Sequence, residues 1–428
     1  SGDPQSDRVA YPRGMSKKPS DPMDSVEVEV EVFELGSATL TEDQLVAQFS
    51  EAATPSELPS PDALEPWGDA GAPQNELWVE DVLGAPYEVF TFEVADDEEG
   101  PVVASLVRRN STEKRSFWKK PQQPKFALLY VHGRNDYFFQ DEAATELTEM
   151  GAAFYALDLR KHGRSLRPWQ TIGYTTDLHD YEEELNRAVD IVAAEHPGLP
   201  LVVFAHSMGG LISTLWANGH QDKLDALILN SAWLELQSLT GLRPALNAVI
   251  ARLARVRPRA TIVGMDKDNI YFRAMTEGWA GSGLPLPKSL VGNEDDPSVT
   301  GWKVYEAWKR PFSYPAPAAW MHAILEGHAT VEKDVHLSVP VLSMTTTASG
   351  SDAEWSPDLF NTDVVLNADL VNERSAGLSN NVTLARFPGR HDLLLSDPAT
   401  RTAVYRTIRA WLTYAGITEP QENRRKKG

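Results

Sequence analysis

The sequence predicts an α/β fold: a mostly parallel sheet with helices on both faces, interrupted by one helical insertion. Three observations point there. From Pro124 onward, short apolar runs alternate with segments whose apolar residues recur at helical spacing, the pattern of a parallel sheet covered on both sides. That alternation stops over residues 233–336 and resumes after them. At 428 residues the chain is long enough for one large domain with an insertion.

Taken in order, residues 1–75 are rich in Pro, Ser, Asp and Glu and poor in large apolar residues, so they read as an acidic extension, partly disordered or loosely packed. The exception is the alternating run from Val26 to Val32, expected to form one half-buried strand. Apolar stretches at 87–94 and 102–107 flank Asp96-Asp97-Glu98-Glu99-Gly100 and predict an antiparallel hairpin that opens the sheet. Strands are then expected at 126–131, 153–157, 201–204, 227–229, 339–344 and 382–387. Leu178, Tyr181, Leu185, Ala188 and Val192 share one helical face, as do Val404, Ile408, Trp411 and Ala415. The insertion is helix-like with Pro breaks, and its aromatics, Trp279, Trp302, Trp308 and Trp320 among them, predict a small helical cap with its own core. The expected organisation is an extension at 1–75, a core from 76–232 and 337–418, a cap at 233–336 and a tail at 419–428.

Composition excludes several classes. A net charge of -21 disfavours nucleic acid and anionic lipid surfaces. No cysteine is present, which removes disulfides, thiolate nucleophiles and Cys-ligated metals. No apolar run approaches the ~20 residues of a membrane-spanning helix, so no stable membrane insertion is expected. No charged segment followed by an apolar one marks a leader, which predicts a cytoplasmic chain or a mature secreted form. The sequence sets no oligomeric state.

Chemistry concentrates in three places. Phe204-Ala205-His206-Ser207-Met208-Gly209-Gly210 lies between a predicted strand and a predicted helix. A serine on such a sharp turn exposes its hydroxyl above the sheet and needs small neighbours two residues before and after, here Ala205 and Gly209. A serine in that place can also be only a helix N-cap. Val131-His132-Gly133-Arg134-Asn135-Asp136-Tyr137 ends an earlier strand, where Gly133 would permit a tight turn and a backbone N–H aimed at a developing oxyanion. His132 is expected to support that loop. Finally, Phe387-Pro388-Gly389-Arg390-His391-Asp392 follows the last strand and precedes a helix that Asp397 can cap and Pro398 can start, which makes His391 the candidate base.

The acid partner of His391 should follow the strand at 339–344, where Asp352, Asp358, Asp363 and Asp369 all lie. Asp363 is favoured because Val364-Val365-Leu366 would pack it against the sheet. Asp352, nearer the strand end, is the alternative.

The order Ser207, Asp363, His391 resembles the α/β-hydrolase superfamily, and within it the monoacylglycerol-lipase-like and lysophospholipase-like serine hydrolases. Leu129-Tyr130-Val131-His132-Gly133, Tyr155 to Ser165, Ala205 to Gly210 and Phe387 to Asp392 carry the resemblance, which spans residues 77–415. Arg134 and the long segment from Thr345 to Asp363 depart from the family pattern, and the extension before residue 75 has no counterpart in it.

The resemblance implies an α/β-hydrolase fold and a serine carboxylester hydrolase. Ser207 would be its nucleophile, with Arg134 and Met208 N–H groups forming an oxyanion hole and Gly133, Tyr137 and Trp233 contacting a small apolar ester. It implies no metal or cofactor. An acyltransferase with the same triad, or a ligand-binding relative without catalysis, is compatible with the same residues. Arg134 could hold a substrate carboxylate or face solvent.

Overall fold

The computed structural model describes residues 28–29, 39–40, 77–110, 123–236, 243–264 and 269–418. Two short strands, β1 (Val28–Glu29) and β2 (Thr39–Leu40), pair only with each other, apart from the main sheet. The rest of the run expected as a strand from Val26 to Val32 lies outside the described residues, as do most of residues 1–75 and the tail at 419–428.

The main sheet begins with β3 (Val79–Glu80), β4 (Tyr87–Asp97) and β5 (Gly100–Arg109), the last two forming the expected hairpin around Asp97 and Gly100. The chain continues through β6 (Phe126–Val131), α1 (Asp141–Glu149), β7 (Ala152–Asp158), α2 (Tyr181–Glu195), β8 (Leu201–His206), α3 (Ser207–Gly219) and β9 (Ala226–Asn230). Between β9 and the next sheet strand come α4 (Arg243–Val256), β10 (Thr261–Val263), α5 (Ile270–Glu277), α6 (Pro297–Thr300), β11 (Ala316–Pro317) and α7 (Ala318–Lys333). The sheet then closes with β12 (Val341–Thr346), α8 (Ala368–Ala376), β13 (Val382–Phe387) and α9 (Pro398–Tyr414).

Nine strands lie in the order β13-β12-β9-β8-β6-β7-β5-β4-β3, parallel from β13 to β7 and antiparallel beyond. β6, β8, β9 and β12 are buried on both faces, as their unbroken apolar runs require. Alternate side chains feed two cores. Leu129, Val131, Val203, Ala205 and Leu229 pack with Leu185 and Val192 of α2 and Leu211 and Trp216 of α3 on one face. Leu128, Tyr130, Val202, Phe204 and Met344 pack with Leu147 of α1 and Val404, Ile408 and Trp411 of α9 on the other.

Two features differ from the sequence expectation. Helices α1 and α8 are short, and their few buried residues leave only a weak periodic trace. Residues 233–336 are not wholly helical: Thr261-Ile262-Val263, rich in β-branched residues, pairs antiparallel with Ala316–Pro317. No helix among the described residues is long and apolar enough to cross a membrane.

Strand order reverses at β6, because the chain passes first to β7 on one side and later to β8 on the other. A crevice at the carboxyl ends of β6 and β8 is the ligand-binding position in such sheets. Gly133 and Ser207 both lie there.

Candidate active site

Ser207 opens α3 directly from β8 with φ at 49°, a left-handed conformation that non-glycine residues rarely adopt. The turn is tight enough that a Cβ at residue 209 would stand 2.2 Å from the His132 carbonyl oxygen, and one at residue 210 would stand 2.4 Å from the Ala232 methyl. Only glycine fits either place. A Cβ at Gly133 would meet the Ser207 Cβ at 3.1 Å, so the β6 loop runs against the serine. His132 supports that loop: its Nδ1 lies 2.7 Å from the Gly133 carbonyl, and its Nε2 accepts the Leu159 N–H at 3.0 Å.

His391 Nε2 is 3.0 Å from Ser207 Oγ, and its Nδ1 is 2.8 Å from Asp363 Oδ2. The other Asp363 oxygen accepts the N–H groups of Val365 and Leu366 at 2.8 and 2.7 Å. Two of the residues after Asp363 thus hold it through their amides and not by packing it against the sheet as expected: Val365 is exposed, and Val364 packs with Trp279 and Phe360. Asp352 is half-buried away from His391, and burial raises its carboxyl pKa above the ordinary value. Asp397 accepts the Thr400 N–H at 2.8 Å and Pro398 begins α9, which anchors the segment carrying His391.

Beneath the triad-like chain lies a second polar layer. Asp392 accepts from Asn230 Nδ2 at 2.7 Å, Gln140 Nε2 at 3.2 Å and the Leu394 N–H at 3.0 Å. His206, with ring centroid 4.9 Å from that of His391, faces the Asn230 carbonyl through Nδ1. Burial lowers its pKa, offset only in part by Asp392.

Ser207 is only 9% and His391 4% exposed, and the segment between β9 and β12 reaches them. Tyr271 of α5 sets its ring edge-on to His391, centroids 6.5 Å apart. Neighbouring Arg390 is buried on the Phe360 ring, where Nη1 donates to the Ala274 carbonyl at 2.9 Å while Nε and Nη2 have no partner among the described residues. Burial pulls its pKa down to about 10, against smaller upward effects of Tyr271 and Asp397.

The residues expected to meet substrate are distributed unevenly. Met208 is wholly buried, adjacent to Ser207 on α3. Trp233 donates its backbone N–H to the Ser207 carbonyl at 2.9 Å and lays its ring against Trp320 and His328. Tyr137 is buried among Phe139, Trp308 and Met275, and its hydroxyl accepts the Tyr305 N–H at 2.8 Å. The Arg134 guanidinium, on a half-buried residue, is held on one side while its Nε has no partner among the described residues. It donates to Ser313 Oγ and the Tyr314 carbonyl and stacks over the Tyr314 and Trp320 rings. A groove of about 230 Å³, bordered by Phe272, Glu306, Pro311 and Phe312, runs between α5 and residues 305–312.

The family profile described as serine aminopeptidase, S33, matches residues 122–348, more than half of the chain. The chain belongs to this family. Among the proteins similar to this S33 member is the monoacylglycerol lipase of Mycolicibacterium smegmatis, 28% identical over 154 residues that make up 36% of this chain and 53% of that one. Monoglyceride lipase of Homo sapiens is 28% identical over 116 residues, 27% of this chain and 37% of its own. The chain therefore spans about half the length of the first of these curated relatives and less of the second. A solved structure described as "Lipase (Open form)" matches the S33 chain with a TM-score of 0.50 and 15% identity, covering 78% of this chain and 100% of that one. At that identity the likeness concerns the fold, which is that of the α/β-hydrolases.

The sequence did not single out Tyr271, Asn230 or Gln140. Each reaches the site from a distant element, and none sits in a local pattern that would mark it.

Proposed function

We propose that this S33 family member is a serine hydrolase of carboxylic esters, with Ser207 as nucleophile, His391 as base and Asp363 as the acid that orients it. The observation that carries the reading is the unbroken hydrogen-bond chain from Ser207 Oγ through His391 to Asp363, beginning at a serine held in a left-handed conformation at the end of β8.

In this mechanism His391 Nε2 takes the Ser207 proton as Oγ bonds to the ester carbonyl carbon. The carbonyl oxygen becomes an oxyanion held by the Arg134 and Met208 amides. His391 then returns the proton to the departing alcohol, leaving an acyl-enzyme. Water attacks that intermediate with the same base, and the carboxylic acid leaves. Asp363 remains ionised and stabilises the imidazolium.

The substrate we propose is a small apolar ester such as a monoacylglycerol or a medium-chain ester. The relatives named monoacylglycerol and monoglyceride lipase support that class, as do the aromatic side chains over the crevice. Residues 233–336 act as its cap, and Gly133 and Trp233 line the reacting centre.

The test is labelling by a fluorophosphonate together with turnover of a graded ester series and matched aminoacyl amides. Labelling and ester cleavage by the wild type, both lost in Ser207→Ala, are the expected result. Absence of both, or preference for the amides, would overturn the reading.

A further inference from the structure

Four consecutive residues of the loop after β6 are each fastened to residues 305–314. Arg134 donates to Ser313 and Tyr314. Asn135 Oδ1 accepts the Arg310 N–H at 2.8 Å while its Nδ2 donates to the Arg310 carbonyl at 2.8 Å. Asp136 Oδ1 accepts from Lys309 Nζ at 2.8 Å, and Tyr137 accepts from Tyr305. One of these four contacts differs in kind. Asp136 is a carboxylate only 2% exposed, and its second oxygen lies 3.4 Å from the Gly133 N–H, next to the Arg134 amide proposed as an oxyanion donor.

A buried negative charge at that place opposes the negative charge that must form on the substrate oxygen, because both sit in a poorly screened environment. Lys309 is the cation hydrogen-bonded to Asp136 among the described residues. Its ammonium is held 5.7 Å from the Phe139 ring centroid, and its side chain is 11% exposed against 2% for the carboxylate. Burial alone would raise the Asp136 pKa, yet Lys309, followed by the His132 and His206 rings, reverses this and keeps the carboxyl below its ordinary range. The ammonium that meets the Asp136 carboxylate is thus supplied by residues 305–314, with the His132 and His206 rings assisting from the core.

We infer that Lys309 is a positioning residue for ester hydrolysis: reaching in from the covering segment, it neutralises Asp136 and fixes the loop that carries the Gly133 and Arg134 amides. This inference rests on the hydrolase reading above. It makes the oxyanion loop competent only while residues 305–314 are docked, so covering the crevice and completing its electrostatics are one event.

Charge and hydrogen bonding can be separated. Lys309→Gln keeps a donor of similar reach and loses the charge. Lys309→Met loses both, Lys309→Arg keeps both, and Asp136→Asn with Lys309→Gln removes both charges. Turnover of a short water-soluble ester and the melting temperature are measured for each.

Lys309→Gln and Lys309→Met should each lower kcat by on the order of 10²-fold with little change in KM, comparable to the loss of an oxyanion donor. Lys309→Arg should stay within a few-fold of wild type, and the double variant should regain about tenfold over Lys309→Gln. A role in packing alone predicts no such recovery, since the double variant removes still more contacts. Two charge-removing variants guard against a folding loss in either one. Unchanged kcat in Lys309→Gln, or a double variant no faster than the single, overturns the inference while leaving the hydrolase reading in place. A wild type that cleaves no ester overturns both.

Discussion

The Asp363 carboxylate uses both oxygens, one toward His391 and one toward two backbone amides, so it arrives at the imidazole already fixed in direction. Asp363→Asn should therefore cost roughly 10⁴ in kcat with substrate binding nearly intact, because the amide favours the wrong imidazole tautomer. Asp352→Asn should change kcat by less than about threefold; steady-state kinetics on both variants decide the matter, and a reversed order of effects would sink the assignment. Asp363 was preferred for the three apolar residues after it, but what they supply is two backbone amides, a contact that side-chain polarity does not reveal. The fate of Arg134 and Tyr137 was not legible either: both are bound by residues some 170 positions away, and a long-range partner leaves no mark on the local sequence.

At the scale of elements, the segment after β7 shows how a loop is held by charge. Asp158 accepts the Phe138 and Arg164 N–H groups at 2.9 Å each, and the Arg164 guanidinium lies wholly buried between Asp158 and Asp81. Lys161 meets Asp97 and Glu99 from the β4–β5 hairpin, which also receives Arg259 from the covering segment. Arg164→Met should lower unfolding free energy by about 3–5 kcal/mol in denaturant titration, because two buried carboxylates would lose their shared cation. A loss under 1 kcal/mol would show that the loop relaxes to water. Strands such as β6 and β8 were readable as unbroken apolar runs, and α9 from its cap and proline. Helices α1 and α8 were not, and β10 and β11 pair across more than fifty residues of chain.

For the whole molecule, two expectations concern stability. Because β1 and β2 pair only with one another, removing residues 1–76 should leave the melting temperature within a few degrees of the full chain. Insoluble protein would show that the extension contributes to the core. The second involves His162, buried between the Arg160 carbonyl and the Tyr314 hydroxyl, where burial, aided by His132, drives its pKa down to about 3. A depressed histidine pKa means that the unfolded chain binds the extra proton. Its stabilising effect is complete above about pH 6.5 and declines toward pH 3, at up to about 1.4 kcal/mol per pH unit. Thermal melts of His162→Gln between pH 7 and pH 4 should fall less steeply than those of the wild type, and parallel slopes would refute this.

A last consequence follows from the left-handed backbone at Ser207. The folded chain keeps there a conformation costing about 1 kcal/mol or more, and it does so at the residue we propose as the nucleophile. Elsewhere in a helix, glycine destabilises relative to alanine. At this position the order should invert: Ser207→Gly should be more stable than Ser207→Ala by about 1 kcal/mol, although neither would turn over ester. A sequence selected for endurance alone would drift toward glycine here, and under the proposed mechanism the serine trades some stability of the resting molecule for reactivity.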